Sequence, residues 1–213
     1  MNGDHHEPHG PHPHQSDLED SPASESELLA QALEELLIEQ GIIGAADMRR
    51  ALEVADARSP ANGARLVARC WVDPAFERRV LASVNDAARE IGLDLDPVEV
   101  RAVKDTERVH NVIVCTLCSC YPVALLGASP DWYKSREYRS RVVREPRAVL
   151  EEFGTTLPAD VELRVHDSSA DLRYLVIPRR PPGTDGMSEE ALAALVTRDC
   201  MIGTALPAAP VDG

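Results

Sequence analysis

From residue 24 onward the apolar positions fall at helical intervals. Leu29, Leu33, Leu36 and Leu37 recur behind Ser24, which makes a capping box with Glu27, and Gly41 is a plausible stop. A second helix starts near Asp47 with Met48, Leu52 and Ala55 in phase, and Ser59-Pro60-Ala61-Asn62-Gly63 breaks it. Helix is expected again over 64–71. Asp73-Pro74 opens a further one, with Phe76, Val80, Leu81 and Val84 inward and Gly92 near its end. Residues 24–92 thus read as helical, without strand signals. After Asp96-Pro97 the pattern changes. Residues 98–103 and 112–114 are rich in β-branched side chains and read as strands, as do 161–165 and 172–177. Helices are expected over 131–141, 146–152 and 188–197, with a last strand over 201–206. No internal repeat is present. The fold class is therefore α+β. A His-rich, acidic, disordered tail (1–22) precedes a helical N-terminal arm (23–94) and an α/β layered domain (95–208).

Charge sharpens this division. The 213 residues carry 22 Lys+Arg against 36 Asp+Glu, a net −14. Residues 1–48 hold eleven of the acids and no Lys or Arg, so the rest is close to neutral. Nucleic-acid binding needs a basic footprint that is missing here. No apolar run approaches the ~18 residues of a membrane span, and the N-terminus lacks the basic-then-apolar order of a signal peptide. A soluble, cytoplasmic protein is expected. The tail also holds His5, His6, His9, His12 and His14, a composition that suits either a solvated segment or binding of divalent metal.

The candidate chemistry lies in the cysteines. Cys70, Cys115, Cys118, Cys120 and Cys200 are odd in number, and three fall within six residues, which is a poor disulfide framework. Adjacent thiols in a reducing compartment more often bind metal or do redox chemistry. Three sulfurs are one short of a closed tetrahedral zinc site, and His110, His166, Cys70 and Cys200, the available fourth ligands, lie at no customary spacing. Iron–sulfur clusters mostly want four cysteines as well. Cys118-Ser119-Cys120 allows another arrangement: two sulfurs and the main-chain nitrogens of Ser119 and Cys120 close chelate rings in a square plane. Cys115 can then reach one axial position and leave the other open. Ionising two peptide nitrogens takes a strongly polarising trivalent ion, which disfavours zinc. Three inert buried cysteines are the plain alternative.

The string Val114-Cys115-Thr116-Leu117-Cys118-Ser119-Cys120 resembles the metal-binding motif of nitrile hydratase α subunits. So do Trp71-Val72-Asp73-Pro74-Ala75-Phe76, Asp131-Trp132-Tyr133-Lys134-Ser135, Tyr138-Arg139, the run from Arg141 to Arg147, the run from Arg179 to Gly186, and Thr197-Arg198-Asp199. The likeness covers about residues 27–207. It implies that Cys115 is the axial thiolate, Cys118 a sulfinate and Cys120 a sulfenate, neighbouring rungs of the oxidation ladder that require shielding. It further implies one non-corrin Co(III) per chain, because Thr116 matches the cobalt branch where the iron branch has Ser. Cys118, Ser119 and Cys120 are then the catalytic set. The ion polarises a nitrile or a water, and either water-derived oxygen or the Cys120 sulfenate attacks to give an imidate and then the amide. Three anionic sulfurs and two amidates against the trivalent ion leave about −2, which is costly to bury without cations. The resemblance accordingly implies a β subunit, in one chain or split into two, whose arginines meet the oxidised sulfurs. It also implies a cobalt-inserting activator protein and a small nitrile substrate.

Other positions follow from the same likeness. Asp167-Ser168-Ser169-Ala170-Asp171-Leu172-Arg173-Tyr174 matches the segment bearing supporting acids, so Thr116, Asp167, Asp171 and Arg173 are expected to support the claw. Asp171 stands where the family usually has Glu, and a simple strand-edge ion pair of Asp171 with Arg173 is the competing reading. Val123 and Ala124 depart from the usual Tyr-Pro-Trp-Pro pattern. Val123 takes the place of a pocket Trp and leaves room for a bulkier nitrile, or is a neutral packing change; Met187 likewise replaces a common Trp. Trp71 and Trp132 are expected as core or interface anchors, and Cys70, Cys200, His110 and His166 as packing residues. The γ subunit of thiocyanate hydrolase carries the same claw and also lacks the Trp, with Arg at that position. A non-catalytic zinc-binding or metallochaperone module is the third reading.

Overall fold

The computed structural model describes residues 24–210. The expectations for the tail lie outside the described residues, as do those for the side chains of Glu27, Leu52 and Ala55. The chain divides into two compact units, 1–51 and 52–213.

In the first unit, α1 (Glu25–Glu39) ends at Gly41, whose φ of 65° lets the N–H groups of Ile42 and Ile43 turn back to the Leu37 carbonyl. Leu28, Leu29, Leu33 and Leu36 stay exposed along α1. The next helix, α2 (Ala45–Asp56), crosses the boundary between the units.

In the second unit the expected break at 59–63 is instead a beginning. The Ser59 hydroxyl accepts from the Ala61 N–H and Pro60 occupies the first turn, where its missing N–H costs nothing, so α3 runs over Pro60–Val72. Asp73 closes α3 and caps α4 (Pro74–Ala82) through the N–H groups of Ala75 and Phe76, and α5 (Val84–Glu90) follows. The strands are β1 (Glu99–Lys104), β2 (Val109–Val114), β3 (Glu162–Asp167) and β4 (Leu172–Ile177). They form two parallel pairs, β1 with β4 and β2 with β3. In β2 every residue from His110 to Val114 is buried, the continuous burial of a parallel strand covered on both faces.

Short helices fill the β2–β3 crossover, α6 (Val123–Leu126), α7 (Asp131–Lys134), α8 (Arg136–Arg141) and α9 (Pro146–Glu152), and two more follow β4, α10 (Glu189–Ala193) and α11 (Arg198–Ile202). The single helix expected over 131–141 splits at Ser135, whose extended backbone (ψ 143°) ends α7 while its hydroxyl caps α8 at the Tyr138 N–H. The strand expected over 201–206 is a second correction. The Thr197 hydroxyl accepts from the Cys200 N–H and Gly203, at φ 91°, closes the turn, so these apolar residues form α11. The expected helix 188–197 shortens to α10 because Thr197 serves the next helix. One apolar cluster joins α3 (Leu66, Val67), Phe76, β2, β4, α6 (Leu125, Leu126), Tyr133 and α11 (Met201, Ile202). The α+β class stands.

Candidate metal centre

β2 and β3 run parallel with Val114 opposite Asp167, so both strands end at the same edge. The cysteine segment leaves β2 there. The Ser168 N–H donates to the Val114 carbonyl at 2.7 Å, closing the edge. Asp167 then accepts from the Thr116 N–H (2.9 Å) and the Thr116 hydroxyl (2.5 Å). From the other side Arg139 of α8 donates to the Thr116 carbonyl at 3.4 Å, and the Tyr133 hydroxyl of α7 donates to the Cys120 carbonyl at 3.0 Å. Both ends of the claw are thus tied to regular elements.

Between those anchors the three sulfurs converge. Cys118 Sγ lies 3.4 Å from Cys115 Sγ and 3.2 Å from Cys120 Sγ, and all three fall within 4.8 Å of one another. Cys115 is buried and receives the Cys118 N–H at 3.3 Å, whereas Cys118 is exposed and Leu117 at the tip is 87% exposed. The Cys120 and Cys115 thiols, with the Ser119 and Cys120 N–H groups turned towards the Cys118 sulfur, bring the Cys118 thiol down to about 7. Burial, followed by the contacts to Cys118 and Cys115, pushes Cys120 up to about 12. The residues present therefore fit a metal: adjacent sulfurs, one readily ionised, with two backbone nitrogens facing into the same loop. Among the described residues no fourth histidine, cysteine or carboxylate completes a group with the triad.

The remaining expected residues are placed as follows. Thr116 and Asp167 meet at the claw. Arg173 on β4 is close enough for its charge to favour the Cys120 thiolate, and its Nε and Nη1 are buried without a hydrogen-bond partner among the described residues. Asp171 is exposed, and among the described residues the ion pair with Arg173 does not form. Val123 opens α6 three residues beyond the claw. Cys70 and Cys200 are buried away from the triad; burial pushes Cys70 up to about 12 and raises Cys200. His110 and His166 hydrogen-bond within the sheet region. The Trp71 indole donates to the Pro178 carbonyl at 2.8 Å, Trp132 stacks edge-on with Tyr138 and Phe153, and Met187 packs on Ala68, Leu192 and Leu195. Sequence reasoning passed over Tyr133 and Arg139 as supports of the claw. Both lie in strings that resemble the family, but nothing in their spacing shows that α7 and α8 fold back onto the cysteines.

Comparison with known proteins agrees with this geometry. The family described as nitrile hydratase, alpha chain, matches residues 24–205. The low-molecular weight cobalt-containing nitrile hydratase subunit alpha of Rhodococcus rhodochrous is 47% identical over 193 residues, covering 89% of this chain and 93% of that one. Thiocyanate hydrolase subunit gamma of Thiobacillus thioparus is 43% identical over 196 residues, covering 86% and 81%. A solved structure of recombinant thiocyanate hydrolase with partially modified cobalt centres superposes with a TM-score of 0.80 at 42% identity, covering 87% of this chain and 91% of that one. With the match extending over nearly all the described residues and the cysteine claw folded as a metal-binding group, this chain belongs to the nitrile hydratase alpha-chain family.

Proposed function

We propose that this chain is the metal-bearing subunit of a cobalt-dependent nitrile hydratase, which adds water to a nitrile to give the amide. The observation that carries the reading is the convergence of the Cys115, Cys118 and Cys120 sulfurs at the end of β2 in a chain of this family. Those three sulfurs and two main-chain nitrogens would hold one non-corrin Co(III). When bound, the ion supplies Lewis acidity towards a nitrile or a water.

The chain's own residues do the rest. Asp167 and Arg139 fix the Thr116 end of the claw, and Tyr133 fixes the Cys120 end, so the sulfurs are held in place before the metal arrives. Oxidation of Cys118 to sulfinate and Cys120 to sulfenate belongs to the same reading, with Arg173 supplying positive charge from the Cys120 side. Cys118 is exposed and Cys120 only half-buried, so a sulfenate at Cys120 is incompletely shielded in this subunit alone. A β subunit that covers the tip and brings arginines meets both needs: shielding, and compensation of about −2 of buried charge. An activator protein delivers the cobalt. Five free cysteines suit the reducing cytoplasm, and among the described residues no helix is long and apolar enough to cross a membrane.

A second reading, the γ subunit of a thiocyanate hydrolase, is favoured by the relative at 43% identity; Val123, where an Arg is expected in that subunit, speaks for the nitrile. The zinc or metallochaperone reading lacks a fourth ligand at the triad among the described residues. Rates with nitriles and with thiocyanate, measured on the complex purified with its partner and cobalt, decide among them. Amide formation without thiocyanate consumption is expected, and the reverse assigns the second reading. Cys118→Ser and Cys120→Ser are expected to lose cobalt and activity together; full activity in either overturns the assignment.

A further inference from the structure

Imidazole is the ligand the claw does not offer, and the two histidines of the described fold are already engaged. His110 is buried, with its ring nitrogens on the Gly203 carbonyl (2.8 Å) and on Asp105 (3.2 Å). His166 meets the Asn111 side-chain oxygen at 2.9 Å and lies against the Tyr174 ring, with 5.1 Å between centroids. Among the described residues, the cysteine triad is the only group of three or more His, Cys, Asp or Glu placed to hold a metal, and no histidine joins it. The other five of the seven histidines, His5, His6, His9, His12 and His14, stand within ten residues, outside the described ones. The residues between them decide which chemistry is open. Pro8, Pro11 and Pro13 carry no N–H, so this stretch cannot present the run of ionised peptide nitrogens that Cys118-Ser119-Cys120 can. The donors left are neutral imidazoles, with the Asp4 and Glu7 carboxylates beside them. Imidazole suits late first-row divalent ions, from cobalt to zinc, and does not suit magnesium or calcium. Charge works in the same direction. Residues 1–22 hold Asp4, Glu7, Asp17, Glu19 and Asp20 with no Lys or Arg, so a cation is attracted and no basic side chain of the segment competes with it.

We infer that residues 4–14 are a second metal site, which takes a late first-row divalent ion through imidazole nitrogens and exchanges it with solution. Its donors set it apart from the claw: imidazole here, sulfur and main-chain nitrogen there. About four to six ligands fill the sphere of such an ion, so five imidazoles and two carboxylates make one site rather than several. The site goes beyond the nitrile hydratase reading and does not depend on it.

The test starts from the complex purified with its partner and freed of exchangeable metal by EDTA, the state in which the claw's ion is counted. Cobalt(II) chloride is then titrated in, and bound cobalt is measured by equilibrium dialysis. The parent is expected to take up about one exchangeable cobalt per chain more than a variant with all five histidines replaced (H5Q, H6Q, H9Q, H12Q and H14Q), or to bind it about tenfold or more tightly. Ions held by the claw or by a partner chain count equally in both proteins and drop out of the difference. Zinc(II) displaces the extra ion, and a large excess of magnesium(II) does not. Asp4→Asn combined with Glu7→Gln keeps every imidazole and is expected to retain it. Equal melting temperatures of parent and variants show that the fold is unaltered. Equal uptake by the parent and the histidine variant, none included, overturns the site. Loss of the ion to magnesium(II), or in the carboxylate variant, overturns the imidazole assignment.

Discussion

His110 lies between two acceptors. Its Nε2 is 2.8 Å from the Gly203 carbonyl, which can only accept, and its Nδ1 is 3.2 Å from Asp105 Oδ2. Each ring nitrogen thus has an acceptor for a proton, an arrangement that favours the imidazolium form of the buried ring. Asp105 is held in turn by the N–H and side-chain amide of Asn111, whose oxygen accepts from His166. Burial works against the charge on His110, but Asp105 and the Gly203 carbonyl outweigh it and raise the pKa above its ordinary value. A raised native pKa means stabilisation that is complete below the unfolded value of about 6.5 and fades as pH rises through the native one. His110→Gln is therefore expected to lower stability, and to lower it more at about pH 6 than at about pH 9, the loss at the lower pH being on the order of 3 kcal/mol for a broken buried pair. His166 is lowered, first by its burial and then by Arg164, and acts in the opposite sense, but it is present in both proteins and drops out of the difference. Thermal melts of the two proteins at both pH values check this; a gap that is equal at both, or larger at the higher pH, contradicts it. The histidine's charge was not legible in the sequence, which suggests only a packing residue on a strand. Its acceptors come from Asp105 and from Gly203, ninety-three residues away. The claw was legible, because its spacing of cysteines is local and survives without tertiary context.

At the scale of elements, periodicity located most of the helices and all four strands, since burial on one face or both leaves its mark on the residues themselves. It failed where a single side chain decides. Ser59 and Pro60 look like a break and are the start of α3, and Thr197 and Gly203 turn an apolar run into α11 rather than a strand. Packing between helices was also hidden. At Gly63 in α3, an added Cβ would lie 2.6 Å from Met201 Sδ and 2.9 Å from the Leu125 carbonyl, so the absence of a side chain is what lets α6 approach α3. In an exposed helix, replacing Gly by Ala stabilises by about 1 kcal/mol. Here Gly63→Ala is expected to destabilise by roughly 1–3 kcal/mol, because the carbonyl belongs to the α6 backbone and cannot rotate away. Denaturant unfolding with an unchanged slope measures it, and a variant more stable than the parent contradicts the packing.

For the molecule as a whole, the strings that resemble the family are scattered from Trp71 to Asp199, and the fold gathers several of them around one loop. Asp167, Tyr133 and Arg139 reach the claw from β3, α7 and α8, which no spacing rule connects. The same gathering leaves the tip of the claw exposed, and under the proposed function the metal chemistry and the need for a partner would share one physical origin, donors arranged around an excess of negative charge at a surface. Mass spectrometry of the claw peptide, read together with X-ray absorption at the cobalt edge on the active complex, tests this most directly. The account predicts one cobalt per chain bound by sulfur and nitrogen, with two added oxygens on Cys118 and one on Cys120. Unmodified thiols around a tetrahedral divalent ion would contradict it.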